Sequence, residues 1–172
     1  NEQIKATLRK AVIACELFPI LTGTALRNIG VQLVLDAVVD YLPSPVDLPP
    51  THGTDPDDED KKLERKADDS EPLSALVFKL QDDKFVGQLA FFRVYSGTVK
   101  AGSYIYNSTT GEKERLGRIV RLMADKRTEI EEVFAGEIAA GVGLKDVKTS
   151  NTLCAEDKPI VLEQITFPEP VV

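Results

Sequence analysis

The chain has 172 residues, 42% of them hydrophobic and 28% charged, with a formal net charge of −7. Those proportions belong to an ordinary soluble globular protein, and no apolar run nears the roughly 18 residues that a membrane-spanning helix requires. The two cysteines, Cys15 and Cys154, lie far apart without paired spacing, so they read as reduced thiols suited to the cytosol rather than as a disulfide framework.

Residues 2–16 place Ile4, Leu8, Ala11 and Cys15 at helical spacing among good helix formers. The short apolar run from Leu17 to Leu21 suits a buried strand. Asn28-Ile29-Gly30 then opens a second helix, Val31 to Leu42, with Val31, Leu35, Val38 and Leu42 in one stripe and Pro43 as its stop. Helix, strand, helix is the pattern of an α/β domain. Some forty residues with a single strand cannot close a core, so residues 1–43 are expected to be the end of a larger domain.

Residues 44–72 read as a linker. Pro43, Pro45, Pro49 and Pro50 keep its start extended, and the stretch from Thr51 to Glu71 is almost without large apolar side chains. Between Thr54 and Pro72 lie nine acids and four bases, so most of the net charge sits in this one segment. Such a composition buries too little surface to offset chain entropy, which predicts a mobile, solvated excursion.

From Leu73 onward the pattern is β. Strands are expected at 73–80, 88–96, 103–107, 115–123, 137–144, 152–155 and 161–167, separated by turns such as Ser96-Gly97, Ala101-Gly102 and Thr110-Gly111. Many short strands with tight turns over residues 73–172 indicate a mainly β fold, either a small closed barrel or a sandwich.

Catalytic motifs are conspicuous by absence. No Gly-Lys pair exists, so there is no phosphate-binding loop; neither Asn-Lys-x-Asp nor Asp-x-x-Gly occurs. One histidine, His52, and no CxxC pair leave no zinc ligand set and no serviceable Ser-His-Asp arrangement. Two features could bear on function. Gly23-Thr24-Ala25 fills the turn before the second helix, where small residues let backbone amides face a flat ligand edge. Lys113, Arg115, Arg118, Arg121, Lys126 and Arg127 form a basic stretch, carrying about +4 over fifteen residues once Glu114 and Asp125 are subtracted. That density suits a phosphate backbone, and equally a strand face laced with ion pairs.

The order of blocks is more specific than any one of them. Phe85-Val-Gly, the apolar strand Leu89–Phe92, Arg93-Val-Tyr-Ser-Gly-Thr-Val99 and Gly102-Ser-Tyr resemble the second domain of translational GTPases, elongation factor G above all. Gly23-Thr24-Ala25-Leu26, Asn28, Gly30-Val31 and Tyr41-Leu-Pro-Ser-Pro45 are similar to that family's last guanine-binding motif and the helix after it, with Thr24 where serine is usual. Lys113-Glu-Arg115, Ala135-Gly-Glu-Ile138, Val142-Gly-Leu-Lys145 and Phe167-Pro-Glu-Pro-Val171 follow in family order.

The resemblance implies a closed barrel of the translation-factor second-domain type at 73–172, preceded by an αβα remnant of a P-loop GTPase domain. It implies a longer protein that hydrolyses GTP with Mg, moves tRNA and mRNA through the ribosome, and is cytoplasmic and monomeric. Gly23, Thr24 and Ala25 would then line the guanine pocket in the intact protein. The barrel would rest on small-subunit ribosomal RNA, with Lys113, Arg115, Arg118 and Arg121 as candidate contacts, and would adjoin the GTPase and third domains. The segment by itself is expected to hold no nucleotide and catalyse nothing. Alternatives are the barrel of a ribosome-protection or release-factor GTPase, or a stand-alone RNA-binding barrel.

Overall fold

The computed structural model describes residues 2–83, 87–124 and 126–165. Phe85 and Val86, Asp125 and the Phe167–Val171 motif lie outside the described residues. The chain divides into two compact units, Asn1–Leu48 and Pro49–Val172.

The first unit holds α1 (Glu2–Ile13) and α2 (Val31–Tyr41). Polar contacts join them. Lys5 reaches Asp40 at 2.5 Å, and Arg9 donates to the carbonyls of Asp40 and Leu42 at 3.2 and 3.1 Å and to the Asp47 carboxylate at 2.6 Å. A guanidinium over the last carbonyls of α2 satisfies acceptors that the helix itself cannot. Neither helix buries a single residue. The strand expected at Leu17–Leu21 does not form. That run has no regular structure and leaves Phe18, Ile20 and Leu21 exposed, because a strand without a neighbour has no ladder to join. Among the described residues no helix is long and apolar enough to cross a membrane.

The second unit is mainly β. Its principal sheet comprises β3 (Ser74–Asp83), β4 (Gly87–Ser96), β6 (Tyr104–Asn107), β7 (Glu112–Arg115), β8 (Arg118–Met123), β9 (Lys126–Ile130), β11 (Ile138–Val142) and β12 (Thr152–Cys154). The order is β7-β6-β12-β3-β4-β11-β8-β9. Here β7 and β8 are consecutive in sequence yet almost at opposite ends of the sheet. Laid flat, six strand spacings would separate them by roughly 29 Å, whereas three Cα steps span about 11 Å at most. The sheet therefore rolls up, as a barrel does. Leu116 and Gly117 make the seam: Leu116 N–H donates to Ser103 O at 3.0 Å on one side, and Gly117 N–H to Val142 O at 3.1 Å on the other. The single strand expected at 115–123 is thus two strands, broken where Leu116 turns inward and becomes fully buried.

Alternation sets the two faces. On β4, Ala90, Phe92 and Val94 point into the core with Val77, Leu116, Ile119, Val133 and Leu153, while Leu89, Phe91, Arg93 and Tyr95 take the outer face. A small pairing of β5 (Val99–Lys100) with β10 (Glu132–Val133) supplies Val99 and Val133 to that core.

The acidic segment is ordered, contrary to the expected mobile excursion. β1 (Thr51–Asp55) and β2 (Asp58–Arg65) form an antiparallel hairpin, and β13 (Val161–Leu162) pairs with the other edge of β1. The hairpin needs no core of its own. Leu63, its one large apolar side chain, packs against Cys154, Ile160, Leu162, Leu76, Tyr95 and Tyr106. Lys61 neutralises Asp55 across the turn at 2.6 Å, and Arg65 donates to Lys158 O at 3.0 Å.

Candidate functional site

Gly23, Thr24 and Ala25 come together in one tight loop. Thr24 and Ile29 exchange N–H···O bonds at 2.9 and 3.1 Å, and Asn28 N–H donates to Ala25 O at 3.1 Å. The crossing is close: a Cβ on Gly23 would lie 2.7 Å from the Ile29 carbonyl oxygen, so no larger residue fits. The bridge consumes the Thr24 amide. The Ala25 N–H donates to no other group among the described residues, and so stays available to a ligand edge.

The basic stretch is largely self-neutralised. Lys113 on β7 lies 2.8 Å from Glu156, Arg118 on β8 lies 2.9 Å from Glu129 on β9, and Arg121 lies 2.6 Å from Glu137. Arg127 reaches Asp83 at 2.5 Å. Of the four candidate RNA contacts only Arg115 forms no ion pair among the described residues. Sequence density located these cations; it could not show that their partners arrive from elsewhere in the fold.

Two cations that density passed over behave differently. Lys79 holds its Nζ 5.3 Å from the centre of the Phe91 ring, and the Arg93 guanidinium carbon sits 5.3 Å from the Tyr95 ring centre. Neither has a carboxylate partner among the described residues. A register shift brings this about: Val77 pairs with Phe92 but Lys79 with Phe91, so Phe78 is the extra residue of a β-bulge. The bulge sets Phe78 beside Phe91, with ring centres 6.4 Å apart.

The remaining polar clusters serve the fold. Glu112, Glu114 and Asp146 bring carboxylates together, but buried Glu114 already accepts the N–H groups of Lys145 and Asp146 at 3.3 and 3.2 Å, clasping that loop. His52 lies 3.4 Å from Glu64 and lines a groove with Thr51, Leu76, Tyr95, Leu162 and Ile165, in which no serine or cysteine takes part among the described residues. Burial pushes the Cys154 thiol up from its ordinary range, which makes it a poor nucleophile.

Residues 72–156 match the family model described as elongation factor G domain 2. The whole chain also aligns with the crystal structure of a protein from Thermus thermophilus, at 25% identity and a TM-score of 0.72. That alignment covers 100% of this chain and 23% of the Thermus chain, so the present sequence spans about a quarter of the length of the protein it is similar to.

Proposed function

Residues 72–156 belong to the elongation factor G family as its second domain, and from that premise we propose that the chain is part of a GTP-hydrolysing factor that drives translocation of tRNA and mRNA on the ribosome. The family match over the rolled sheet is the observation that carries this reading. Among the described residues of the second unit, His52 faces no serine or cysteine in its groove and the Cys154 thiol is buried, which suits a bearing surface better than a catalytic one. Its proposed partner is the small ribosomal subunit, through ribosomal RNA.

The first unit supports the other half of the reading. A guanine presents hydrogen-bonding edges, and the unused Ala25 N–H in the Gly23-Thr24-Ala25 loop is a donor placed to meet one. In the intact factor this loop would close over the base. The phosphates and Mg would be held by residues outside this chain, since the motifs that bind them do not occur in it. GTP supplies the free energy that biases domain orientation; the barrel transmits it.

Co-sedimentation tests the proposal. The 172-residue chain should pellet with purified small subunits at low salt, detach as salt rises, and stay in the supernatant with large subunits alone. Failure to pellet with small subunits at any salt concentration would overturn it.

A further inference from the structure

We infer that the phosphate-contacting surface of the barrel is the outer face of β3 and β4, with Lys79 and Arg93 as its RNA-binding cations. This rests on the ribosomal reading above and locates the contact within it. The inference begins from partners rather than from charge density. Lys61, Lys100, Lys113, Arg118, Arg121 and Arg127 each have a carboxylate within 2.9 Å. A cation so paired adds little to the field that a polyanion meets on approach. Lys79 and Arg93 have no such partner among the described residues; Arg115 and several surface lysines share that, but only Lys79 and Arg93 are also seated against aromatic rings on one strand pair.

Their positions are also fixed in advance. The bulge at Phe78 turns Lys79 onto the outer face over Phe91, and strand alternation sets Arg93 and Tyr95 on that face, two and four residues beyond Phe91. Aromatic contacts of this kind hold a cation without consuming its charge. Arg93 Nε is buried and makes no hydrogen bond, which leaves the outer nitrogens of the guanidinium as its outward donors. Phe78, 37% exposed, flanks the pair with an open ring edge. Two pre-set cations with uncommitted donors and an adjacent aromatic match consecutive phosphates and a neighbouring base better than they match an acidic protein surface.

Binding of the chain to purified small ribosomal subunits, measured over a series of salt concentrations, tests this. A dye on exposed Cys15 reports binding. The double variant Lys79→Ala/Arg93→Ala is expected to bind about 10-fold or more weakly and to lower the salt slope by roughly two. The charge-conserving Lys79→Arg/Arg93→Lys should keep the slope, and guards against a loss due only to misfolding. Lys61→Ala/Lys100→Ala removes the same charge elsewhere and should change affinity less than about 3-fold. If wild type binds and Lys79→Ala/Arg93→Ala binds equally well, or if Lys113→Ala/Arg118→Ala carries the loss instead, the assignment to β3–β4 is overturned while the ribosomal reading stands. Weakened binding with an unchanged salt slope would identify a protein contact and overturn the RNA assignment. No binding by wild type would overturn both.

Discussion

Arg121 donates to one oxygen of the Glu137 carboxylate at 2.6 Å, and the other oxygen accepts the Phe134 N–H at 3.0 Å. One ion pair thus ties β8 to the turn that leads into β11. Both side chains are partly exposed, 42% and 34%, so solvent screening holds the pair to no more than about 1 kcal/mol. Arg121→Ala should lower the unfolding free energy by up to that amount. Glu137→Ala also strands the Phe134 donor and should cost about 1–2 kcal/mol. Urea unfolding of both singles and the double variant checks this; strictly additive losses would show that the two side chains do not interact.

Gly53 offers a more local test. A Cβ there would lie 2.5 Å from the Val161 carbonyl oxygen and 2.7 Å from Ile160 Cγ1, and the first of these is backbone that cannot step aside. Gly53→Val should therefore separate β1 from β13 and undock the hairpin. The cost is expected near 2–3 kcal/mol, about the range of overpacked sites. The principal sheet should survive, because its core does not include Gly53. Amide exchange resolves the two outcomes. Faster exchange confined to β1, β2 and β13 is expected, while uniform acceleration through β3 and β4 would show that the hairpin is integral to the barrel.

How much of this was legible in the sequence depended on where each element's partners lie. The helices could be read from Ile4, Leu8 and Ala11, and from Val31, Leu35 and Val38, because a helix satisfies its own backbone locally. β4 was legible through its dense run of apolar and aromatic residues. The β1–β2 hairpin was not: its composition is that of a solvated loop, and it is held by Leu63 and by a strand that comes far later in the chain. The break at Leu116-Gly117 was hidden for the same reason, since only the closing of the sheet demands it. At the candidate surface, sequence revealed the density of Lys113, Arg115, Arg118 and Arg121 but not that Glu156, Glu129 and Glu137 answer three of them. The Phe78 bulge, which sets Lys79 on Phe91, has no sequence signal at all.

The hairpin turn should respond to acid. The hydrogen bond from Lys61, followed by that from the Asp57 N–H, holds the Asp55 carboxyl below the usual aspartate range. A depressed carboxyl pKa contributes stability that is present above the unfolded value of about 3.9 and is lost as pH falls through the lower folded value. Lys61 is raised chiefly by its hydrogen bond to Asp55, so its contribution is present below about 10.4 and lost as pH climbs through the folded value. The turn should be tightest between those limits. The carboxyl carbon of Asp55, followed by NMR, should titrate below the ordinary aspartate range and return toward that range in Lys61→Met. An ordinary titration in wild type would remove the basis for this expectation.

The two thiols should separate cleanly by reactivity. Cys15 follows α1 in the left-handed region at φ 58° and is exposed, whereas Cys154 is fully buried beside Ile160 and Leu162. Burial raises the Cys154 thiol and so depletes its thiolate at neutral pH; enclosure also denies a reagent its approach. With a disulfide reagent in excess, one equivalent of thiol should react promptly and the second only as fast as the barrel opens. Cys15→Ser should abolish the prompt phase and leave the slow one intact. Adding urea below the unfolding midpoint should accelerate the slow phase in proportion to the population of opened barrel. Prompt reaction of both thiols in native buffer would mean that the packing of β12 and β13 over Cys154 is far looser than the structure describes.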